Sequence, residues 1–318
     1  MALTIVRQQP STTQGPTVDN ISTIATSAVL FDVHVSTWTG RKRDKKTSAE
    51  VNADKQTRSS KAASVIKNLM TDDKDLDAIR AYAQDTRLWV QHRTYAWGDG
   101  GTRLLPTGLM FDVTSEMDAR ITEFERLCHV FLAGYSTKVS AAAFKLGQLF
   151  DRSEFPDEDS LRLKFSMRYV IMPVPTAGDF RVDVQNDVGE MLKQKYSAEA
   201  DKRVADMLRE PWERAYEGLQ HIKSRMDAAL EYEPEAGADG RRKPKLFQSM
   251  VDNNLELANL LDKLNITKDP QLADCAARMR RLLTPLDMKS VRESPDMQKS
   301  IKTQVEDILG TFDFGPLE

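Results

Sequence analysis

AVLFDVHVSTWTGRKRDKK, residues 28–46, joins the pattern of a buried strand to a run of cations. Apolar residues stand at every second position of its first half, namely Val29, Phe31, Val33 and Val35. This period of two is typical of a half-buried β-strand. The second half contains one aromatic ring and five cations: Trp38, Arg41, Lys42, Arg43, Lys45 and Lys46. The pattern predicts a strand over residues 29–37 that leads into an exposed basic loop at 38–46.

Three further segments have strand character. Residues 104–113 are apolar but contain Pro106 and Gly108, which suits an edge strand or an extended loop. Residues 161–172 alternate strictly between apolar and other side chains, and residues 180–184 alternate again after a proline-rich turn. We interpret the last two segments as an antiparallel hairpin.

Most of the remaining chain has helical periodicity. Apolar residues recur at spacings of three and four over 75–90, 117–149, 188–231, 246–264, 272–283 and 295–309. We therefore predict an α+β fold, with a small, mainly antiparallel sheet covered by long helices and a helical C-terminal part. The expected organisation is a flexible N-terminal arm at 1–20, an α+β core at 21–232, a linker at 233–245 and a helical region at 246–318.

Composition excludes several classes of protein. The chain has 318 residues, is 40% hydrophobic and 29% charged, and has a net charge of −3, which is typical of a globular protein. No apolar run approaches the ~20 residues that span a bilayer, and the N-terminus lacks the pattern of a signal peptide. Cys128 and Cys275 lie in predicted helices far apart in the sequence, which favours buried free thiols in a reducing cytoplasm. We expect a cytoplasmic protein, in the host cytoplasm if the gene belongs to a phage.

The basic loop is the strongest candidate for a binding site. Residues 41–61 contain eight cations and three acids, a local excess of five on an acidic protein. Cations neutralise phosphates, and an exposed Trp38 ring could stack on an unpaired base. The alternative is a solvated loop with Trp38 packed in the core. The predicted strand at 161–172 adds Arg162, Lys164 and Arg168 on its outer face, which is either solvated or bound to something anionic.

No pattern of catalytic residues is found in the sequence. The four histidines do not occur at metal-binding spacings, and neither cysteine belongs to a CxxC pair. No phosphate-binding loop is present, and GDGG at 98–101 is more typical of a turn than of a dinucleotide-binding loop. We therefore expect no enzyme activity, no cofactor and no metal.

Three segments resemble an uncharacterised "domain of unknown function" family that is encoded by tailed phages and conjugative elements. They are FDVHVSTWTGRKRD at 31–44, LWVQHRTYAWGDGGTRLLPTGLMF at 88–111 and LRLKFSMRYVIMPVP at 161–175. The resemblance implies a genetic context near a MoxR-type AAA+ ATPase and a cobaltochelatase-like von Willebrand factor A protein. It implies no catalytic residues.

Two functions are therefore expected from the sequence. The first is a non-enzymatic phage or mobile-element assembly or adaptor protein, a homo-oligomer that acts with the AAA+ ATPase and makes no membrane contact. The alternative is a single-stranded DNA-binding or annealing protein that uses the basic loop.

Overall fold

The computed structural model describes residues 24–98, 100–175, 186–232 and 245–314, and the fold is α+β, as the sequence predicts. The strands are β1 (Ala28–Ser36), β2 (Arg41–Asp44), β3 (Val65–Asn68), β4 (Tyr95–Ala96), β5 (Arg103–Pro106) and β6 (Ser166–Met172). The helices of the first half are α1 (Lys45–Asp54), α2 (Lys74–Arg93), α3 (Thr107–Ala133), α4 (Tyr135–Leu146) and α5 (Glu158–Arg162). Those of the second half are α6 (Asn186–Leu230), α7 (Gln248–Leu264), α8 (Pro270–Leu283), α9 (Met288–Glu293) and α10 (Pro295–Thr311).

The strands form two sheets. A four-stranded sheet has the order β4–β5–β1–β6, and β4 is antiparallel to β5 with Tyr95 opposite Leu104. A separate two-stranded sheet pairs β2 with β3, also antiparallel. The predicted strand at 29–37 is confirmed as β1.

Two predicted strands are partly wrong. Residues 107–113 begin helix α3 instead of extending β5, and Leu109 and Val113, four residues apart, are buried on one side while Phe111 is 81% exposed. Residues 158–162 form helix α5, since the Asp157 side chain accepts the Ser160 N–H and caps it. Only the second half of 161–172 is the strand β6, and the partner predicted at 180–184 lies outside the described residues.

The predicted basic loop is also not a loop. Residues 41–44 are strand β2, and Lys45 begins helix α1 directly after it. Gly40 has a φ of 58°, a conformation that favours glycine, and its carbonyl accepts the Leu69 N–H at 2.7 Å. This turn brings β2 beside β3.

The chain divides into two compact units, each built from separated segments. The α/β unit consists of residues 31–91 and 111–171, and its core includes Leu76, Ile79, Phe124 and Phe131. The helical unit consists of the described residues of 1–30, 92–110 and 172–318. Helices α6, α7, α8 and α10 supply its core, including Leu219, Leu261, Met279 and Val305. The predicted linker at 233–245 lies almost entirely outside the described residues, and the helices on either side of it share this one core.

Helices α6 and α7 make a close contact at Gly218. A Cβ atom at this position would overlap Oδ1 of Asn254, whose buried Nδ2 donates to the Met250 carbonyl at 2.8 Å. Gly218→Ala should therefore lower the free energy of unfolding by about 1–3 kcal/mol, the usual cost of overpacking. Urea unfolding followed by circular dichroism measures it.

Gly310, in α10, is the matched control. A Cβ atom there would have no neighbour within 4 Å, so Gly310→Ala should be neutral or stabilising by up to about 1 kcal/mol. Equal unfolding midpoints for the two variants would show that α6 and α7 do not meet as described.

Both cysteines are free and buried, as the sequence predicts. Burial raises the pKa of the Cys128 thiol and of the Cys275 thiol to about 12, and a thiol rather than a thiolate is unreactive. We expect neither to react with iodoacetamide, an uncharged and non-aromatic thiol reagent, in the folded protein at pH 8 and both to react in urea. Rapid labelling of either thiol without denaturant would contradict the described burial.

Candidate nucleic-acid interface

Strand β2 is exposed and basic along most of its length. Arg41, Lys42 and Arg43 are all exposed, and the two lysines that begin α1, Lys45 and Lys46, are exposed as well. We call these five residues the basic patch. The structure therefore brings together, within one strand and one helical turn, all five cations that the sequence singled out in this segment.

The pairing of β2 with β3 decides which side chains share a face. Arg41 lies opposite Asn68 and Arg43 opposite Ile66, and directly opposed residues in an antiparallel pair project from the same side. Ile66 is 65% exposed. The outer face of this small sheet therefore presents two guanidinium groups beside one exposed aliphatic side chain.

The opposite face, from which Lys42 also projects, is anchored by a buried lysine that lies directly opposite Lys42 in the pair. The side chain of Lys67 is only 5% exposed, and its Nζ lies 2.5 Å from a Glu154 carboxylate oxygen and 3.8 Å from one of Asp44. The same Nζ donates to the Leu149 carbonyl at 2.6 Å. This lysine therefore fixes β3, and through it β2, against the rest of the α/β unit.

Asp44 connects the sheet to α1. Its carboxylate accepts the Thr47 N–H at 2.9 Å and so caps the helix. The pKa of Asp44 is lowered mainly by this backbone hydrogen bond, with a smaller contribution from the charge of Lys67. The helix therefore begins immediately after β2, which places Lys45 and Lys46 next to the three cations of the strand.

The basic patch differs from the partly buried cations of the α/β unit in its lack of ion pairs. Arg120, Lys138 and Lys67 each lie within 4.0 Å of two carboxylates. Among the described residues, by contrast, no carboxylate lies within that distance of a patch cation. The charge of Lys42 has a small effect on Asp151, whose pKa is lowered mainly by Ser153 and only weakly by Lys67 and Lys42.

Lys45 and Lys46 also oppose the dipole of α1. The first turn of this helix contains no acidic residue, although a helix N-terminus carries a partial positive charge that favours anions by about 0.3–1 kcal/mol per group. Two lysines at this position are therefore mildly destabilising. The Asp44 carboxylate already caps this helix end, and the two lysines add positive charge beside it.

Trp38 does not contribute an exposed ring. It is 9% exposed, and its ring packs against Phe131 at 6.3 Å and Tyr135 at 6.2 Å between centroids. The structure thus places Trp38 in the core, the alternative that the sequence left open. The Trp38 ring is therefore not available to stack on a base.

Arg162, Lys164 and Arg168 do not share one strand face. Arg162 ends helix α5 and pairs with Glu158 at 3.3 Å, Lys164 lies in the following turn, and only Arg168 belongs to β6. Arg162 and Arg168 instead line a cleft of about 630 Å³ together with Arg126 and His129 of α3. Sequence reasoning missed the last two because nothing in their spacing relates α3 to β6.

Comparison of the chain with protein-family models, with curated proteins and with solved structures finds no match. Within the described residues, no three acidic, histidine or cysteine side chains are grouped closely enough to hold a metal ion. The helices of the described ranges are all too short or too polar to cross a membrane.

Proposed function

We propose that this chain is a non-enzymatic protein that binds single-stranded nucleic acid through the basic patch. The observation that supports this most directly is the group of five exposed cations without ion-pair partners among the described residues, on a chain of net charge −3. Five unneutralised cations repel one another. A polyanion would relieve that repulsion and release its own condensed counterions.

The outer face of β2–β3 favours a single strand over a duplex. Guanidinium planes stack on unpaired bases, and Arg41 and Arg43 both project from the exposed face of this sheet, with Ile66 directly opposite Arg43. Ile66 offers an apolar contact that the bases of a single strand can use, whereas a duplex presents its phosphates outward. Trp38 is not needed for this mode of binding.

Binding is tested by fluorescence anisotropy with a labelled (dT)20 strand and with a 20-base-pair duplex, both at 50 mM salt. The wild-type chain should bind the single strand more tightly than the duplex, and Arg41→Glu/Lys42→Glu/Arg43→Glu should weaken the binding strongly while leaving a residual affinity from Lys45 and Lys46. Equal affinity for the duplex would contradict the role of unpaired bases, and an unaffected triple variant would contradict the site.

A control with the same charge change uses Lys202→Glu/Lys289→Glu/Lys299→Glu. These three lysines are exposed in the helical unit and have no ion pair with a described residue. The control should keep most of the wild-type affinity, because its charges lie outside the patch. If it lost as much affinity as the β2 variant, net charge rather than the basic patch would explain the binding.

A second candidate function is the assembly role implied by the family resemblance. Large apolar side chains are unusually exposed in the α/β unit: Phe111 at 81%, Phe144 at 92% and Leu163 at 85%. An interface between copies of the chain would cover such side chains, and the oligomer would be the form that works beside an AAA+ ATPase and a von Willebrand factor A protein. The native mass in solution tests it: a discrete oligomer that Phe144→Ser dissociates supports this role, and a monomer contradicts it.

A further inference from the structure

The cleft beside β6 has the dimensions and lining of a small-molecule site. Its volume of about 630 Å³ lies in the ordinary range of about 300–1,000 Å³ for such sites. Helix α3 forms one wall, and the segment from α5 through β6 forms the other. All of the lining belongs to the α/β unit.

The lining separates apolar from cationic groups. Met167, which is buried, and Phe165, which is half-buried, supply apolar surface, and most of the exposed lining is apolar. Arg126, Arg162, Arg168 and His129 supply the polar part, and Glu125 is the acid among the lining residues. An apolar wall with a few convergent cations is the usual design of a site for an organic anion.

The arginines of the cleft are available to a ligand. The side chain of Arg168 is exposed and forms no hydrogen bond or ion pair with any described residue. Arg126 and Arg162 pair with Glu123 and Glu158 of their own helices, and the side chains of both pairs are more than a third exposed. Solvent-exposed pairs of this kind contribute little free energy, so an incoming anion can replace the glutamates.

We propose that this cleft binds a small organic anion, a phosphate or carboxylate group carried on an apolar or aromatic body. Arg168 holds the anionic group, with Arg162 and Arg126 beside it, and the apolar body lies against Met167 and Phe165. This site is separate from the basic patch and does not depend on the function proposed for that patch.

The probe is 8-anilinonaphthalene-1-sulfonate, an aromatic anion whose fluorescence rises on binding, titrated into the full chain. We expect saturable binding that Arg168→Gln weakens by at least about tenfold, as expected for the loss of one charged hydrogen bond. Ser166→Trp should abolish it, since Ser166 is exposed and lines the cleft, so a large ring there fills the space without changing the charge. Arg225→Gln, at an exposed arginine of α6 outside the cleft, should leave the affinity unchanged.

Competition identifies the natural source of the anion. Displacement of the probe by thymidine 5′-monophosphate would assign a nucleotide, and displacement by decanoate would assign an aliphatic carboxylate. The variant Arg41→Glu/Lys42→Glu/Arg43→Glu should bind the probe as the wild type does. The proposal for the cleft is therefore tested independently of the proposal for the basic patch. Probe affinity that neither Arg168→Gln nor Ser166→Trp changes would overturn the proposal.

Discussion

Lys67→Met should destabilise the protein by about 3–5 kcal/mol, the usual cost of removing one partner from a buried ion pair. The side chains of Asp44 and Glu154 are only 12% and 13% exposed, so the substitution leaves two carboxylates without their cation in a place that water reaches poorly. The Leu149 carbonyl loses its donor as well. The free energy of urea unfolding measures the effect.

Lys42 provides the control, because it lies directly opposite Lys67 in the β2–β3 pair and has the same side chain in an exposed position. Lys42→Met should change the free energy of unfolding by no more than about 0.5 kcal/mol. The double variant Lys67→Met/Glu154→Leu should recover part of the lost stability, since it also removes the Glu154 carboxylate that Lys67→Met leaves without a cation. If Lys67→Met costs no more than Lys42→Met, Lys67 is not the buried anchor of this sheet.

Lys45→Glu/Lys46→Glu should weaken single-stranded DNA binding by at least about 20-fold at 0.1 M salt, which follows from losing two phosphate contacts at a slope of about 0.7 each. The same change should stabilise the fold by about 0.3–1 kcal/mol per residue, because acids favour a helix N-terminus and α1 has none in its first turn. Anisotropy with (dT)20 and urea unfolding measure the two effects on one preparation.

The opposite signs of these two effects separate a binding role from a structural one. If the variant has a higher free energy of unfolding and a lower affinity for DNA, unfolding cannot explain the loss of affinity. Lys202→Glu/Lys299→Glu, with the same change of net charge at exposed positions of α6 and α10, should keep most of the affinity. Unchanged affinity in the α1 variant would remove these two lysines from the interface.

The sequence predicts those elements whose pattern is local. The alternation from Val29 to Val35 predicts β1 correctly, although the adjacent Leu30 and Phe31 are both buried, so that both sides of the first half of the strand are covered. The alternation at 161–172 predicted a strand over its whole length. The prediction is wrong for the first residues, because they belong to a five-residue helix that Asp157 caps. Leu161 is fully buried there while Leu163 is 85% exposed, so the two do not share a face as a strand would require.

The candidate site could be predicted only in part, because its geometry depends on residues distant in the chain. The five cations of the patch lie within six consecutive residues, 41–46, and their exposure follows from their charge. The burial of Trp38 depends on Phe131 and Tyr135, and that of Lys67 on Glu154 and Leu149. The sequence offers no signal for any of these partners. The cleft beside β6 likewise needs the packing of α3, which no local spacing reveals.

The salt dependence of single-stranded DNA binding tests the central claim most directly. If all five patch cations contact phosphates, the logarithm of the association constant should fall with the logarithm of salt concentration at a slope of about −3.5. Arg41→Glu/Lys42→Glu/Arg43→Glu should remove three contacts and reduce the slope to about −1.4. A wild-type slope near zero, or the same slope in both proteins, would contradict the assignment of the basic patch as a nucleic-acid interface.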